Sequence, residues 1–291
     1  MNTKKRGYFS LAFYDVVESP GWVGKCILLS LVLMIPVFGF IVVLGYLFGW
    51  ARDIAWRVHR PFPSRIFGNE DGMLYKRGAQ LFAIVIIYAI IALIIQEIFS
   101  SLAVGTMAIL PFGFGLNNGL AALSVVSALN KWGIFALGSF VITCACMLLS
   151  WVALMRSALY GTFRAAFQPS RLFELIKYDC VGLLKILGMA IIVSLMTGLI
   201  ALVVTFVVGV LCGIVTAITA VTPLVLFAVV LVFAIVFSII LIALMAQVFT
   251  LAMIARAMGY WFSQFNVADW GSQDSPLPAQ CIPLHVATSV N

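Results

Sequence analysis

Long stretches without a charged side chain constrain this sequence more than any other feature. Residues 186–255 contain no Asp, Glu, Lys or Arg over seventy positions, and residues 26–51 contain none either. In residues 79–150 only Glu97 and Lys131 carry a charge. A membrane-spanning helix needs about 20 consecutive, predominantly apolar residues. Each of the longer runs therefore has room for at least one membrane span.

The window 224–242 shows how strong this signal is. Sixteen of its nineteen positions are Leu, Ile, Val or Phe. At about −0.4 kcal/mol for each of these residues, insertion gains roughly 6 kcal/mol, whereas one central charge costs about 3 kcal/mol. The whole chain is 64% hydrophobic and 9% charged, against about 25% charged in soluble domains. We therefore predict an all-α, polytopic helical transmembrane bundle with interfacial helices on its cytoplasmic side.

Four segments predict firm membrane-spanning helices, followed by a polar tail. Between the first two, residues 104–130 hold so many Gly, Pro and Asn residues that we expect a non-cytoplasmic connector instead of another straight span. The membrane domain covers residues 1–258, and residues 259–291 have little pattern and are predicted to form a disordered cytoplasmic tail. The predicted spans are residues 79–103, 132–155, 186–212 and 224–255.

The apolar run 26–50 leaves two alternatives open. It contains Pro36-Val37-Phe38-Gly39, and proline removes a backbone donor and kinks or breaks a helix. The run either crosses the membrane once or enters and returns as a re-entrant hairpin. Residues 8–19 before it have one apolar face and predict an interfacial helix, and residues 46–60 after it predict a helix that continues at the surface.

The distribution of basic residues predicts the orientation in the membrane. Sixteen of the seventeen Lys and Arg residues fall in four groups, and only Lys131 falls outside them. Cytoplasmic loops carry the excess of Lys and Arg. The groups at 52–77 and 156–185 and the tail are therefore predicted on the cytoplasmic side of the cell membrane. The group before residue 26 lies on the same side only if residues 26–50 form a hairpin.

One basic and aromatic segment is a candidate binding surface. It combines cations and indole rings next to an apolar run, which suits anionic lipid headgroups or a cytoplasmic protein partner. The same cations serve equally well as a topological signal alone. The residues of this surface are Arg52, Trp56, Arg57, Arg60 and Arg65.

Polar side chains inside the predicted spans are the second group of candidates. Glu97 is the one acid within an apolar span, and such groups are functional candidates by default. It lies about 9 Å from the outer end of its span, so a snorkelling or hydrogen-bonded acid explains it as well as a proton- or cation-linked role. Gln96 and Gln247 are candidates for hydrogen bonds between helices. Among the GxxxG patterns, Gly209 and Gly213 lie within a span and predict close internal helix packing ahead of dimerisation.

Several function classes are disfavoured by what is missing. The two histidines, His59 and His285, lie outside the predicted spans, and the six cysteines form no CxxC pair. Histidine-based metal sites and paired intramembrane carboxylates are therefore not expected. Basic residues flank apolar segments, so lipid and not nucleic acid is the expected partner. We expect no enzyme, no cofactor and no metal.

The order of several short motifs resembles a known family. Gly45-Tyr46 closes the first apolar run, a basic helix with Arg52 and Arg57 follows, and Pro61-Phe62-Pro63 makes a turn before Gly72. Tyr160-Gly161-Thr162-Phe163-Arg164 follows a later span. The sequence is similar in this respect to an uncharacterised prokaryotic membrane-protein family, domain of unknown function 4013, over about residues 10–260. The resemblance implies a multi-span prokaryotic protein and transfers no site residues.

Two functions remain as expectations. The first is a non-enzymatic membrane scaffold or accessory subunit that binds lipid or a protein partner through its basic surface. The second is a transporter or channel for a small solute, with Gln96, Glu97 and Gln247 along the path. Transporters usually keep polar or broken helices near the bilayer midplane, and the uncharged run 186–255 therefore favours the first function.

Overall fold

The computed structural model describes residues 7–67, 72–108, 118–219, 225–265 and 267. These residues form eight α-helices and one short 3-10 helix, Arg164–Phe167, and contain no β-strand. The predicted all-α helical bundle is confirmed. The α-helices are α1 (Tyr8–Val17), α2 (Trp22–Leu33), α3 (Phe38–Ala55), α4 (Leu74–Ala108), α5 (Asn118–Tyr160), α6 (Pro169–Tyr178), α7 (Cys180–Thr219) and α8 (Val225–Ser263).

Five of these helices are long and apolar enough to cross a membrane, so the chain is a multi-pass membrane protein. Four are the long helices α4, α5, α7 and α8, and the fifth is α3. Three of the predicted spans lie within α4, α5 and α7, and residues 225–255 of the fourth lie within α8. The segments that meet this length and hydropathy criterion are Phe38–Ala55, Leu74–Ser101, Phe135–Tyr160, Cys180–Ile214 and Val230–Ser263.

The connector predicted over residues 104–130 is largely helical, and that prediction is wrong for the described part. α4 continues to Ala108 and α5 begins at Asn118. A single glycine costs a helix only about 0.5–1 kcal/mol relative to alanine, so helix-forming neighbours outweigh it. Gly105 and Gly119 are therefore accommodated within helices. Residues 109–117, which hold the other two glycines and the proline, lie outside the described residues.

Buried side chains are concentrated at one end of the bundle, which we call the packed end. It consists of α1, α2, residues 42–55 of α3 and the adjoining ends of α5, α7 and α8. The other ends of the long helices expose large apolar side chains, for example over 192–214 of α7 and 230–242 of α8. Within the most apolar windows, 72% of the residues of α3 are buried, against 6% for α7. The exposed bands are suited to contact with acyl chains, not water.

The chain reverses between α2 and α3, and the two helices form an antiparallel pair that we call the α2–α3 hairpin. At its tip, a Cβ at Gly39 would overlap the carbonyl oxygen of Val32, so the helices are in backbone contact there. At its open end, the ring of Phe62 lies 5.7 Å from Lys25 Nζ and 4.7 Å from the ring of Trp50. Both ends of the predicted run 26–50 therefore lie at the same level of the bundle.

A glycine contact fixes the crossing of α3 and α4. A Cβ at Gly45 would overlap the carbonyl oxygen of Leu74, and one at Gly78 would overlap that of Ile41. Small residues at such a crossing let two helices approach through their backbones. α3 and α4 are therefore in close backbone contact here. Gly78 belongs to none of the GxxxG patterns, because its partner lies on another helix.

At Gly209 and Gly213, where the sequence predicts internal packing, the structure differs. Nothing lies within 4 Å of a Cβ built at either position. The two glycines lie on the part of α7 that exposes apolar side chains. No neighbouring helix of the described chain therefore packs against this pair.

The surface helix predicted over residues 46–60 is only partly present. α3 ends at Ala55, and residues 42–51 are buried instead of lying at the surface. The reason is that these turns carry no charge before Arg52, so they join the core. α1, by contrast, lies within the interfacial helix predicted over residues 8–19, with Ala12 and Val16 buried.

The first residues of the segment predicted to be a disordered tail, 259–291, are ordered, and for them that prediction is wrong. α8 continues to Ser263, and Trp261, Phe262 and Phe265 are fully buried. The rings of Trp261 and Phe265 pack edge to face with centroids 4.9 Å apart. Aromatic side chains bury large apolar areas, and this cluster extends the helix beyond Gly259. Residues 268–291 lie outside the described residues.

Candidate functional site

The segment after α3 folds back over the packed end and is held through its backbone. Arg57 has a φ of +61° where the chain turns. The Arg60 carbonyl oxygen accepts a hydrogen bond from Trp50 Nε1 at 3.0 Å, and the Phe62 carbonyl oxygen accepts one from Lys25 Nζ at 2.7 Å. The backbone of Arg60 is therefore held in place, while the residue as a whole is exposed.

Phe62 anchors this segment. Its ring is 1% exposed and lies edge to face against the rings of Tyr46, at 5.3 Å, and Trp50, at 4.7 Å. The backbone N–H of Phe62 donates to Ser19 Oγ at 2.9 Å. The prolines on either side of Phe62 have no N–H and need no donor partner. The Pro61-Phe62-Pro63 motif thus gives a stiff loop with a single aromatic anchor.

A buried arginine of α8 supports the loop from behind. Arg256 is 2% exposed, and its Nε donates to Asp15 Oδ2 of α1 at 2.6 Å. Its other nitrogens donate to the carbonyl oxygens of Trp50, at 3.1 Å, and Arg60, at 3.3 Å. The guanidinium also lies 4.2 Å from the centre of the Trp50 ring, within the range of a cation–π contact. One side chain therefore links α1, α3, α8 and the loop.

A cavity of about 530 Å³ opens in front of this loop, and we call it the basic cleft. Four cationic side chains and one carboxylate line it, an excess of three positive charges. Arginine presents a planar fork of donors that matches phosphate and carboxylate oxygens. The arrangement is therefore suited to an anion. The charged lining residues are Lys25, Arg52, Asp53, Arg60 and Arg77.

A second recess of about 380 Å³ adjoins the basic cleft. It shares Arg52 and Arg77 with the cleft and adds Lys76 from α4 and Tyr160 from the end of α5. Arg77 is 5% exposed, and its Nη1 lies 3.5 Å from the Gly45 carbonyl oxygen. The positive region therefore extends from the open end of the α2–α3 hairpin to the start of α4 and the end of α5.

The structure divides the surface that the sequence predicted. Arg52 and Arg60 line the basic cleft, whereas Trp56, Arg57 and Arg65 are exposed and are not part of its lining. α3 ends at Ala55 and the chain turns immediately afterwards, so the predicted helical spacing does not continue past Arg52 to Trp56 and Arg60. The predicted surface is thus partly a cleft and partly open surface.

Sequence reasoning missed Lys25 and Arg77 as site residues and counted them only as topological signals. Both lie directly beside an apolar run, as Arg52 does. When apolar helices pack antiparallel, cations at the ends of their apolar runs lie at the same height in the bundle. The position of Lys25 and Arg77 beside an apolar run is therefore the sequence signal that could have identified them as site residues.

The three intramembrane polar candidates do not line the basic cleft. The Nε2 of Gln96 on α4 donates to Ser139 Oγ on α5, as expected for a hydrogen bond between helices. Glu97 is exposed and lies near the Ser100 hydroxyl at 3.5 Å. Gln247 is exposed on α8. No group of three His, Cys, Asp or Glu side chains able to hold a metal occurs in the described part of the chain.

An all-helical, multi-pass membrane protein with a cationic cleft at its packed end is the class that the fold and site define. A family model described as Protein of unknown function (DUF4013) matches residues 28–206, more than half of the chain. The protein belongs to this family, and the resemblance carried by its short motifs is confirmed. No curated protein and no solved structure matches the chain.

Proposed function

We propose that the protein is a non-enzymatic membrane scaffold or accessory subunit that binds anionic phospholipid headgroups in the basic cleft. The observation that carries this proposal is the excess of three positive charges in a cavity of about 530 Å³. A phosphodiester headgroup has the charge and the planar oxygen pairs that arginine binds well.

The height of the cleft in the bundle supports a headgroup as the ligand. Arg77 lies two residues before the apolar run that begins at Ala79, about 3 Å along the helix axis. The headgroup regions occupy the outer 5–8 Å or so on each side of a hydrocarbon core of about 30 Å. This position at the end of an apolar run supports a lipid phosphate as the ligand of the cleft cations.

The charge distribution supports the cytoplasmic leaflet of the cell membrane as the source of this lipid. The cleft residues belong to the basic groups that the positive-inside bias assigns to the cytoplasm. The cytoplasmic leaflet carries anionic lipids, and each nearby Lys or Arg contributes about 1 kcal/mol to binding them. Three excess charges correspond to a preference of roughly 100-fold for an anionic over a zwitterionic headgroup.

The transporter or channel considered from the sequence has no observation in its favour. Gln96 is engaged with Ser139, and neither Glu97 nor Gln247 lines the cleft or the adjoining recess. A cytoplasmic protein partner at the exposed residues Trp56 and Arg65 is the outcome to consider if lipid binding fails.

The proposal is tested by lipid binding to the purified protein in nanodiscs of phosphatidylcholine. Fluorescent phosphatidylglycerol is titrated against fluorescent phosphatidylcholine, and the two affinities are compared. We expect the native protein to prefer phosphatidylglycerol. In the double variant Arg52→Gln/Arg60→Gln that affinity falls about 30-fold, from about 1 kcal/mol per lost charge.

A control variant removes the same charge elsewhere. Arg57→Gln/Arg65→Gln changes two exposed arginines that lie outside the cleft lining, and we expect less than a threefold loss of affinity. Equal losses in the two double variants would show that charge alone, and not the cleft, binds lipid. A native protein without preference for phosphatidylglycerol would reject the lipid function.

A further inference from the structure

We infer that the α2–α3 hairpin is a re-entrant wedge whose tip inserts into the acyl chains of one leaflet, so that its two ends lie on the side of the basic loops. A single straight span would place Lys25 and Trp50 about 37 Å apart along its axis. Instead, Lys25 Nζ lies 5.7 Å from the ring centre of Phe62, and the ring of Trp50 lies 4.7 Å from it.

The outer face of the hairpin is apolar and exposed. A contiguous apolar surface of this kind is unfavourable in water and marks a site of contact with a protein or a membrane. These side chains are each between 37% and 54% exposed, and there is no acidic or basic residue between Cys26 and Ala51. The exposed side chains are Ile27, Leu28, Leu31, Ile35, Val37 and Phe40.

Acyl chains are the occupant that the neighbouring helix indicates. The rings of Phe38 and Phe40 lie 6.1 Å and 6.2 Å from those of Tyr75 and Phe82 on α4. Shortly beyond these contacts, from Ile86 onward, α4 exposes the apolar band of a membrane span. The apolar face of the hairpin therefore continues directly into a lipid-facing surface.

The backbone of the tip meets most of the condition that a bilayer imposes. In lipid, backbone N–H groups need partners within the protein. The N–H groups of Ile35, Phe38, Gly39 and Ile41 donate to carbonyl oxygens at 2.7–3.0 Å, and Pro36 has no N–H. The bond from Phe38 to Pro36 closes a three-residue turn with Val37 at φ +63°, ψ −60°, the rare classic γ-turn. A tip this short exposes little unpaired backbone.

The position of the tip against α4 limits the depth of the wedge. The tip contacts α4 no further along than Phe82 among the ring contacts, while α4 continues to Ala108, about 39 Å further. Arg77, which marks the headgroup level, lies beside Gly45, since its Nη1 is 3.5 Å from the Gly45 carbonyl oxygen. The arm from Gly45 to Gly39 is about 9 Å long. Half of a hydrocarbon core of about 30 Å is about 15 Å, so the wedge stays within one leaflet.

This topology brings the N-terminal cations to the side of the others. Lys25 and the three basic residues before it then join Arg256 and the groups at 52–77 and 156–185, so sixteen of the seventeen Lys and Arg residues share one side. The positive-inside bias favours this arrangement over a single span, which would leave four of them outside.

The first test places an epitope tag before Met1 and, in a second variant, within the exposed stretch at Ser64. Both are read by antibody and protease access in right-side-out and inside-out membrane vesicles. The wedge predicts that the two tags are accessible in the same vesicles. Accessibility of the two tags from opposite sides would overturn it. Neither outcome depends on whether the cleft binds lipid.

The second test measures depth. Val37→Cys is spin-labelled in a background whose native cysteines are replaced by alanine, after that background is shown to unfold at the native temperature. We expect collisions with oxygen to exceed those with a water-soluble nickel chelate, at a depth of about 5–10 Å below the phosphates. Arg65→Cys is the matched control, since it is exposed beside the cleft. A label at residue 37 that meets the chelate as often as the label at residue 65 would overturn the wedge.

Discussion

Arg256 Nε and Asp15 Oδ2 lie 2.6 Å apart, although 241 positions separate them in the sequence. The Tyr260 hydroxyl donates to the same carboxylate oxygen at 2.6 Å. Arg256 is 2% exposed in its side chain, whereas Asp15 is 27% exposed. A buried cation requires compensation by a counter-charge and by acceptors, and Asp15 with the Trp50 and Arg60 carbonyls supplies both.

The ion pair leads to a first prediction. Asp15→Asn removes the counter-charge but leaves Arg256 buried, and the loss of one partner of a buried pair destabilises a protein by several kcal/mol. Asp15 is partly exposed, so we expect a loss of about 2–3 kcal/mol in the free energy of unfolding. Chemical unfolding in detergent micelles measures it. Glu174→Gln is the control, because it removes the exposed Arg171–Glu174 pair at 3.0 Å, which contributes less than about 1 kcal/mol.

A second prediction concerns the crossing of α3 and α4. Gly78→Ala places a methyl group against the Ile41 carbonyl oxygen, and overpacking of this kind costs about 1–3 kcal/mol. The thermal unfolding temperature should fall. Gly188→Ala on α7 is the matched control, since nothing lies within 4 Å of its Cβ, and it should leave the temperature unchanged or raise it. A variant Gly78→Ala as stable as Gly188→Ala would contradict the close crossing.

A third prediction concerns the start of α7. Asp179 is 2% exposed and accepts hydrogen bonds from the Gly182 N–H, at 2.9 Å, and from Gln264 Nε2, at 3.0 Å. It is the N-cap of the helix, so Asp179→Ala should cost about 2–3 kcal/mol from the lost cap and the unpaired amide. Asp179→Asn keeps an acceptor for the Gly182 N–H and should cost about half as much. Equal unfolding free energies for both variants would contradict the capping role.

A fourth prediction separates the two polar neighbours on α4. Glu97→Gln changes an exposed side chain and should alter the unfolding free energy by less than about 0.5 kcal/mol. Gln96→Leu removes the hydrogen bond to Ser139 and should cost about 1 kcal/mol. The double variant with Ser139→Ala tests the pair directly. If Gln96→Leu and Ser139→Ala have fully additive effects, the two side chains do not interact.

A fifth prediction follows from the electrostatic nature of the basic cleft. The Debye length falls from about 10 Å at 0.1 M salt to about 3 Å at 1 M. Binding of phosphatidylglycerol to the native protein should weaken across this range, while binding of phosphatidylcholine should change little. The salt dependence should be shallower for Arg52→Gln/Arg60→Gln, since two cations of the lining are missing. An affinity for phosphatidylglycerol independent of salt would contradict a cationic site.

The sequence predicted the helical membrane class because that class depends on local quantities. The hydropathy of residues 186–255 determines that they form membrane helices, and the proline at position 36 interrupts the helix in which it lies. Both effects depend only on neighbouring residues in the sequence. The four long helices therefore lie where the apolar runs lie. Their greater length, to Ala108 for α4 and from Asn118 for α5, was not predicted, because single glycines were weighed as helix breakers although each costs a helix only about 1 kcal/mol.

The candidate site was only partly predictable because it is assembled from distant segments. Arg52 and Arg60 were found as members of a basic stretch, but the chain turns at Arg57, and Arg57 and Arg65 of the same stretch do not line the cleft. Lys25 lies 27 positions before Arg52, and Arg77 lies 25 positions after it. Both reach the cleft because α2 and α4 pack against α3. Pairing at this range depends on the whole fold, which one sequence does not reveal.

The position of the ion pair relative to the family-matched residues has a practical consequence. Asp15, Lys25 and Arg256 all lie outside residues 28–206, yet one of them lines the cleft and the other two brace its rear wall. A fragment limited to residues 28–206 would keep the three arginines that line the cleft. It would lose Lys25 and the Asp15–Arg256 ion pair, which holds the cleft loop in place. Expression boundaries for functional work on this chain should therefore extend at least from α1 to the end of α8.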